Sequence, residues 1–320
     1  MRQLTWTASV AVVFCLVSAC SDQPSGPTGI HSASSSAASS GPDAIRALHP
    51  APGAAAHMLV PAGLSAPATS TRASTVTCGV PVTRSLVLTE DLSCPTGDAL
   101  VVGADHITVD LGGHSVTASR YGPYAAVRNP GHDGVTIRDG SADGSFGVLL
   151  EHGAQRNRIL GLAVFGQTDG IALHDSHENL LRGNESFVGS GHGILLRRAR
   201  GNTLDRNVMA QENDDGNAHG GIWLTDSSNG NRITNNVTSS NGSDGIYVSA
   251  GSRRNLIAAN TATWNVDDGI DVDDPNNIVS RNVTNENQGF GIEAAPGTRG
   301  GNNSASGNRE PTQCLNIPCN

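Results

Sequence analysis

Residues 265–274, NVDDGIDVDD, set five carboxylates within ten positions: Asp267, Asp268, Asp271, Asp273 and Asp274. Carboxylates this dense suit two chemistries. Glycosidic cleavage uses a pair roughly 5 Å apart for retention or about 6.5–9.5 Å apart for inversion. Calcium takes about six to eight oxygen ligands, of which several could come from one such stretch. All five aspartates are thus candidate calcium ligands, although the spacing matches neither an EF-hand nor a glycine-rich nonapeptide repeat. A third reading is plainer, with the aspartates as the punctuation of a repeat.

Other residues carry chemistry elsewhere. Trp223 and Tyr247 offer rings on which sugars stack. His174, His177 and His192 offer imidazoles, which suit copper among transition metals. Asp214, Asp215 and His219 fall in QENDDGNAHGG, a stretch that makes one unit longer than its neighbours. Such an insertion maps to a loop, often over a binding face. Arg156, Arg158, Arg182, Arg197, Arg198, Arg200 and Arg206 crowd the middle of the chain. An acidic sugar could turn its carboxylates toward them.

The elements that position these residues come from a repeat. Glycine followed by aliphatic residues recurs as GVLL at 147, GIAL at 170, GILL at 193, GIWL at 221, GIYV at 245, GIDV at 269 and GIEA at 291. Asparagines five apart accompany it: Asn179 and Asn184, Asn202 and Asn207, Asn231 and Asn236, Asn255 and Asn260, Asn277 and Asn282. A third column reads Asn213, Asn241, Asn265 and Asn287. Three registers in step define an internal repeat of about 22–24 residues. Each unit holds three short alternating stretches, the period of strands rather than helices. The fold class is therefore all-β, with each unit one coil of a parallel β-helix. Ile171, Ile194, Ile222, Ile246, Ile270 and Ile292 should stack inward, because strand side chains alternate. The asparagines should form a ladder along the axis, tolerating left-handed turns.

Alternation also sorts the outward residues. The third slot after the glycine gives Ala172, Leu195, Trp223, Tyr247, Asp271 and Glu293. The fifth gives His174, Arg197, Thr225, Ser249 and Asp273. Coils lie roughly 4.8 Å apart, so Trp223, Tyr247, Asp271 and Glu293 should share one exposed face. Asp271, Asp273 and Glu293 are the candidate catalytic carboxylates. Trp223, Tyr247, Arg197, His174 and His219 are the candidate ligand-binding residues.

With DLGGH at 110–114 followed by the GI and N-x4-N coils, the chain resembles the right-handed parallel β-helix proteins of the pectin-lyase-like superfamily. The resemblance covers roughly residues 78–310. It implies a right-handed solenoid. The superfamily includes pectate lyases, polygalacturonases, alginate epimerases, phage tailspikes and periplasmic proteins linked to copper-enzyme maturation. QTDGI at 167–171 and SGHGI at 190–194 are similar to polygalacturonase motifs, which would make Asp169 and His192 site residues. The arginine–lysine element of those enzymes has no counterpart, because the chain contains no lysine.

The ends and the charge bound the setting. Arg2, the apolar run ASVAVVFCLV and the tetrapeptide VSAC at 17–20 read as a signal peptide over 1–19. VSAC resembles a bacterial lipobox, with Cys20 acylated and the chain held at the cell envelope. Residues 20–75, rich in Ser, Ala, Pro and Gly, form a tether, and 76–320 the β-helix domain. Cys78, Cys94, Cys314 and Cys319 remain, an even number that suggests disulfides in an exported protein. Three pairings are possible; local pairing would staple both ends of the domain. A formal charge of −9 argues against nucleic-acid binding. Two functions stay open: a surface module binding glycans or envelope partners, or a polysaccharide hydrolase, lyase or epimerase. A periplasmic metal-related accessory role is a further alternative.

Overall fold

The computed structural model describes residues 76–187, 189–212 and 220–320. Residues 1–75, on which the expected signal peptide, tether and Cys20 fall, and Asn213, Asp214, Asp215 and His219 lie outside the described residues.

All regular structure among the described residues is strand, in 27 segments, and every pairing is parallel. The chain winds as a right-handed parallel β-helix of about ten coils. Three strands per coil form three faces. The glycine-aliphatic strands make the first, as in Ile246–Val248 on Ile270–Val272. Leu256–Ala258 and Ile278–Ser280 belong to the second. Thr261–Thr263 and Val283–Asn285 belong to the third.

The core follows from alternation. Ile171, Ile194, Ile222, Ile246, Ile270 and Ile292 pair in register and are fully buried. Leu181, Leu204, Ile233, Ile257 and Val279 form the matching column of the second face. Each aliphatic side chain contributes roughly 1.5–3 kcal/mol relative to leaving it exposed.

The recurring glycine has a steric cause. A Cβ on Gly269 would stand 2.6 Å from the Gly291 carbonyl oxygen, and on Gly245 2.5 Å from that of Gly269. Successive coils approach too closely there for any side chain.

The asparagines form three ladders, with one correction. Their side chains are buried, and outside Asn277 the left-handed residue is the one before: Arg254 before Asn255, Ala259 before Asn260, Trp264 before Asn265. That preceding residue turns the corner, and the asparagine points inward. Asn236 shows the pattern. Its Oδ1 accepts the N–H and the Nδ2–H of Asn207, both at 2.9 Å, and its Nδ2 donates to Asn260 Oδ1 at 3.1 Å. In the third ladder the slot predicted for Asn213 is held by Glu212, whose N–H donates to Asn241 Oδ1 at 3.1 Å.

The cysteines pair locally, Cys78 with Cys94 and Cys314 with Cys319. Residues Cys314–Leu315 add to Ile292–Ala294, and Ile317 is buried beneath the last coil. The tail thereby covers apolar surface and strand edges that an open solenoid end would expose.

Candidate functional site

The outward row forms as alternation requires. Ala172, Leu195, Trp223, Tyr247, Asp271 and Glu293 pair in register, one per coil. The Trp223 and Tyr247 rings stack with centroids 6.3 Å apart and planes 18° apart. Trp223 Nε1 donates to Ser249 Oγ at 2.8 Å. Tyr247 Oη donates to Asp273 Oδ2 at 2.6 Å. Burial first, then the Asp273 carboxylate, raises the Tyr247 phenol above its ordinary range. Asp273 is therefore an anchor for Tyr247 rather than an open partner for Asp271.

Asp271 sits beside Glu293 across one coil step. Burial pushes its carboxyl up to about 8, with Asp244, Asp273, Glu293 and Asp267 adding like charge. At neutral pH it holds a proton, the state a general acid needs.

In two successive later coils the slot before the glycine holds an aspartate with a backbone duty. Asp244 Oδ1 accepts the Asp268 N–H at 3.1 Å, and Asp268 Oδ1 accepts the Phe290 N–H at 2.5 Å. Asp244, Asp267 and Asp268 bring carboxylate oxygens within 4.8 Å of one another. Burial raises Asp244 to about 7 and Asp268 to about 8, with neighbouring carboxylates adding to both. The predicted calcium set is thus divided. Asp267 and Asp268 converge, joined by Asp244. Asp273 binds Tyr247. Asp274 faces another way, with Oδ2 2.7 Å from Arg253 Nε and Oδ1 accepting from Asn276. Burial would raise the Asp274 carboxyl, but the Arg253 and Asn276 bonds outweigh it and hold it at about 2. Asp244 was detectable as the same pre-glycine slot one coil earlier.

The middle coils hold separate histidine arrangements. His192 Nδ1 lies 2.6 Å from Asp169 Oδ1 within a buried pair. The His192 ring packs on Trp223 with centroids 4.8 Å apart. Glu212 is buried nearby, with Oε2 accepting the Gly189 N–H at 2.8 Å. Burial pushes its carboxyl up to about 7. Residue-by-residue reading missed Glu212, although an acid in an asparagine column is a visible break in pattern. His174 accepts from Arg197 Nη2 at 3.5 Å, and Phe146 meets it edge-on. His177 Nδ1 accepts the Arg200 N–H at 3.3 Å. The three histidines take different partners. Among the described residues, the metal-capable group found is the aspartate triplet alone. The arginine crowd is largely spent on aspartates, as in Arg156–Asp133, Arg182–Asp205 and Arg198–Asp175.

A solenoid of stacked parallel coils with an outward aromatic-to-acidic row defines the class: a right-handed parallel β-helix protein. Solved structures agree on the fold. The A-module of the Azotobacter vinelandii mannuronan C-5 epimerase AlgE6 matches with a TM-score of 0.52 at 12% identity, covering 73% of this chain and 80% of that one. The A-module of AlgE4 from the same organism matches with a TM-score of 0.50 at 15% identity, covering 75% and 71%. The periplasmic alginate epimerase AlgG matches with a TM-score of 0.44 at 15% identity over 67% of this chain; the match spans 62% of that protein's length. No curated protein sequence matches. The family model described as "Periplasmic copper-binding protein (NosD)" matches residues 110–262 and 216–311, together well over half of the chain. The protein belongs to that family.

Proposed function

We propose that this is an exported module that binds a polysaccharide or cell-envelope glycan along the Trp223–Tyr247–Asp271–Glu293 row, held at the envelope by lipid on Cys20. The single observation that carries the binding role is the pair of stacked rings leading directly into carboxylates on one face. Because the rings pack on one another and on His192, sugar C–H groups would meet their outward edges, and hydroxyls the acids. The two disulfides support an oxidising setting. The test is a glycan array with wild-type protein and Trp223→Ala. Loss of the wild-type signal in the variant is expected; equal signals from both would overturn the role of the row.

One observation favours a second reading, a polysaccharide-active enzyme. Asp271 is protonated near neutral pH and stands one coil, roughly 4.8 Å, from Glu293, near the spacing of a retaining pair. Product release from pectin, alginate and neutral glucans by wild type, abolished in Asp271→Asn, is its expected result. Equal release by both removes Asp271 as the acid.

The family description names copper, a metal with strong donor preferences. The described cysteines are all in disulfides, Met209 is buried in the core, and the converging group is three carboxylates. Hard oxygen donors suit calcium or magnesium; copper favours imidazole and sulfur. The described residues do not fit copper, and no step in the proposed function runs through it. Three carboxylates, two of them already accepting backbone N–H groups, also fall short of a calcium shell by themselves.

A further inference from the structure

We propose that Glu212 is a proton-dependent joint of the third ladder: as the neutral acid it fastens its coil to the one before, and as the carboxylate it lets that fastening loosen. In this ladder the asparagines both accept and donate. Asn287 Oδ1 takes the Asn265 N–H at 3.0 Å, and its Nδ2 donates to the Ala262 carbonyl, in the coil before, at 3.1 Å. Asn308 repeats this with the Asn287 N–H and the Thr284 carbonyl, both at 2.9 Å. Glu212 opens the same ladder and fills the accepting half, its Oε2 taking the Gly189 N–H at 2.8 Å. In register, the residue that stands to Glu212 as Ala262 stands to Asn287 is Ser186.

A carboxylate leaves the donating half empty, because it only accepts. Glu212 Oε1 is buried without a hydrogen-bond partner, and so is the Ser186 hydroxyl. One proton on Oε1 answers both, its O–H donating toward Ser186 as an asparagine amide donates in the later rungs. The surroundings favour that proton. Burial, the largest influence, outweighs the Ser186 hydroxyl and the Gly189 N–H and pushes the carboxyl up to about 7. The titratable groups that face it among the described residues are Asp169 and His192, which are paired with each other at 2.6 Å. The strands on either side, Glu185–Phe187 and Val237–Ser239, turn Ser186 and Thr238 inward and Glu185 outward.

The acid is held above its ordinary value of 4.5, so its contribution is complete below 4.5 and is lost as pH climbs through about 7. Gly189 has no side chain with which to make a second bond, so ionisation acts on a single joint. Just along the chain from Gly189, the His192 ring packs on Trp223 with centroids 4.8 Å apart. The joint therefore ties the aromatic end of the outward row to pH, firm in acid and loosened above neutrality. It does so with or without a ligand on the row.

Amide hydrogen exchange on the full chain tests this, with each rate divided by that of the unstructured amide at the same pH. Protection of the Gly189 amide should fall at least roughly tenfold from about pH 5 to about pH 8. Glu212→Gln keeps an acceptor and carries a permanent donor, so its Gly189 protection should stay within about twofold over that range. Glu212→Ala should lose the protection at both ends of it. The Val135 amide, bonded to Asn157 Oδ1 at 2.7 Å, belongs to a joint without an acid and should hold steady throughout. Infrared difference spectra of wild type minus Glu212→Gln should show a neutral carboxyl band at about pH 5 that gives way to carboxylate by about pH 8. A flat Gly189 profile in wild type would overturn the joint whatever the variants do. So would an equal fall in Glu212→Gln, a matching fall at Val135, or a Glu212 carboxylate band already complete at about pH 5.

Discussion

Asn236→Ala tests whether the ladders hold the coils together. Asn236 is fully buried. Its Oδ1 takes the Asn207 N–H and Nδ2–H, and its Nδ2 gives to Leu204 O at 3.0 Å and Asn260 Oδ1 at 3.1 Å. Alanine strands the Asn207 N–H away from water and removes one partner each from the Asn207 amide and the Leu204 carbonyl. An unsatisfied buried group costs about 1–3 kcal/mol and a lost hydrogen bond about 0.5–1.5 kcal/mol, so the sum comes to roughly 2–6 kcal/mol. For a domain of this size that is a fall in Tm of roughly 4–24 °C. Val237→Thr, next along the chain and half-exposed, should change stability by less than about 0.5 kcal/mol. Thermal circular dichroism reads the global effect. Repeat proteins need not melt as one unit, so amide exchange at Asn207 supplies a local readout. A variant that melts within about 2 °C of wild type, with the Asn207 amide still protected, refutes the ladder as a cohesive element.

Three further outcomes are expected. Asp244, raised to about 7, and Asp268 and Asp271, raised to about 8, bind protons more tightly folded than unfolded. Their contribution is fully present below the unfolded value of 3.8 and is lost as pH rises through 7 to 8, so the urea midpoint should fall between pH 5 and pH 9. Asp271→Asn should flatten that fall, and a wild-type midpoint that climbs to pH 9 contradicts the assignment. Gly269→Ala places a methyl 2.6 Å from the Gly291 oxygen and should destabilise by about 1–3 kcal/mol or more, read from the same denaturation curves; a neutral result would mean the coils can part there. Cys20→Ser should move the protein from the membrane fraction to the soluble fraction of its host, and retention in the membrane fraction would exclude lipid on Cys20 as the anchor.

Much of the scaffold was legible because its causes are local. A glycine excluded by the next coil, an isoleucine two-residue alternation and an asparagine every five residues all leave marks at fixed spacing. The row Trp223–Tyr247–Asp271–Glu293 followed from those marks alone. What escaped depends on partners one coil away. Asp274 looks like a ligand of NVDDGIDVDD until Arg253, 21 residues earlier, closes on it. Asp273 looks free until Tyr247 reaches down from the coil before. Glu212 was displaced by one position because the longer unit beside it blurs the register. The turn asparagines were given the left-handed backbone that belongs to their predecessors, since either residue fits the same spacing.

The ladders also have a direction. Each amide passes its hydrogens toward one end of the solenoid, as from Asn231 to Asn255 and from Asn255 to Asn277. The first ladder ends at Asn277, whose Nδ2 turns to Ser252 O and Asp274 O, and the third ends where Gln313 receives the Asn308 Nδ2 hydrogen. Between those ends each interior joint repeats the one before it. A gene segment for one coil, duplicated or deleted between equivalent asparagines, leaves the joints of its neighbours intact. The span of the outer face can then change in steps of one coil, giving selection a ruler for the reach of this surface.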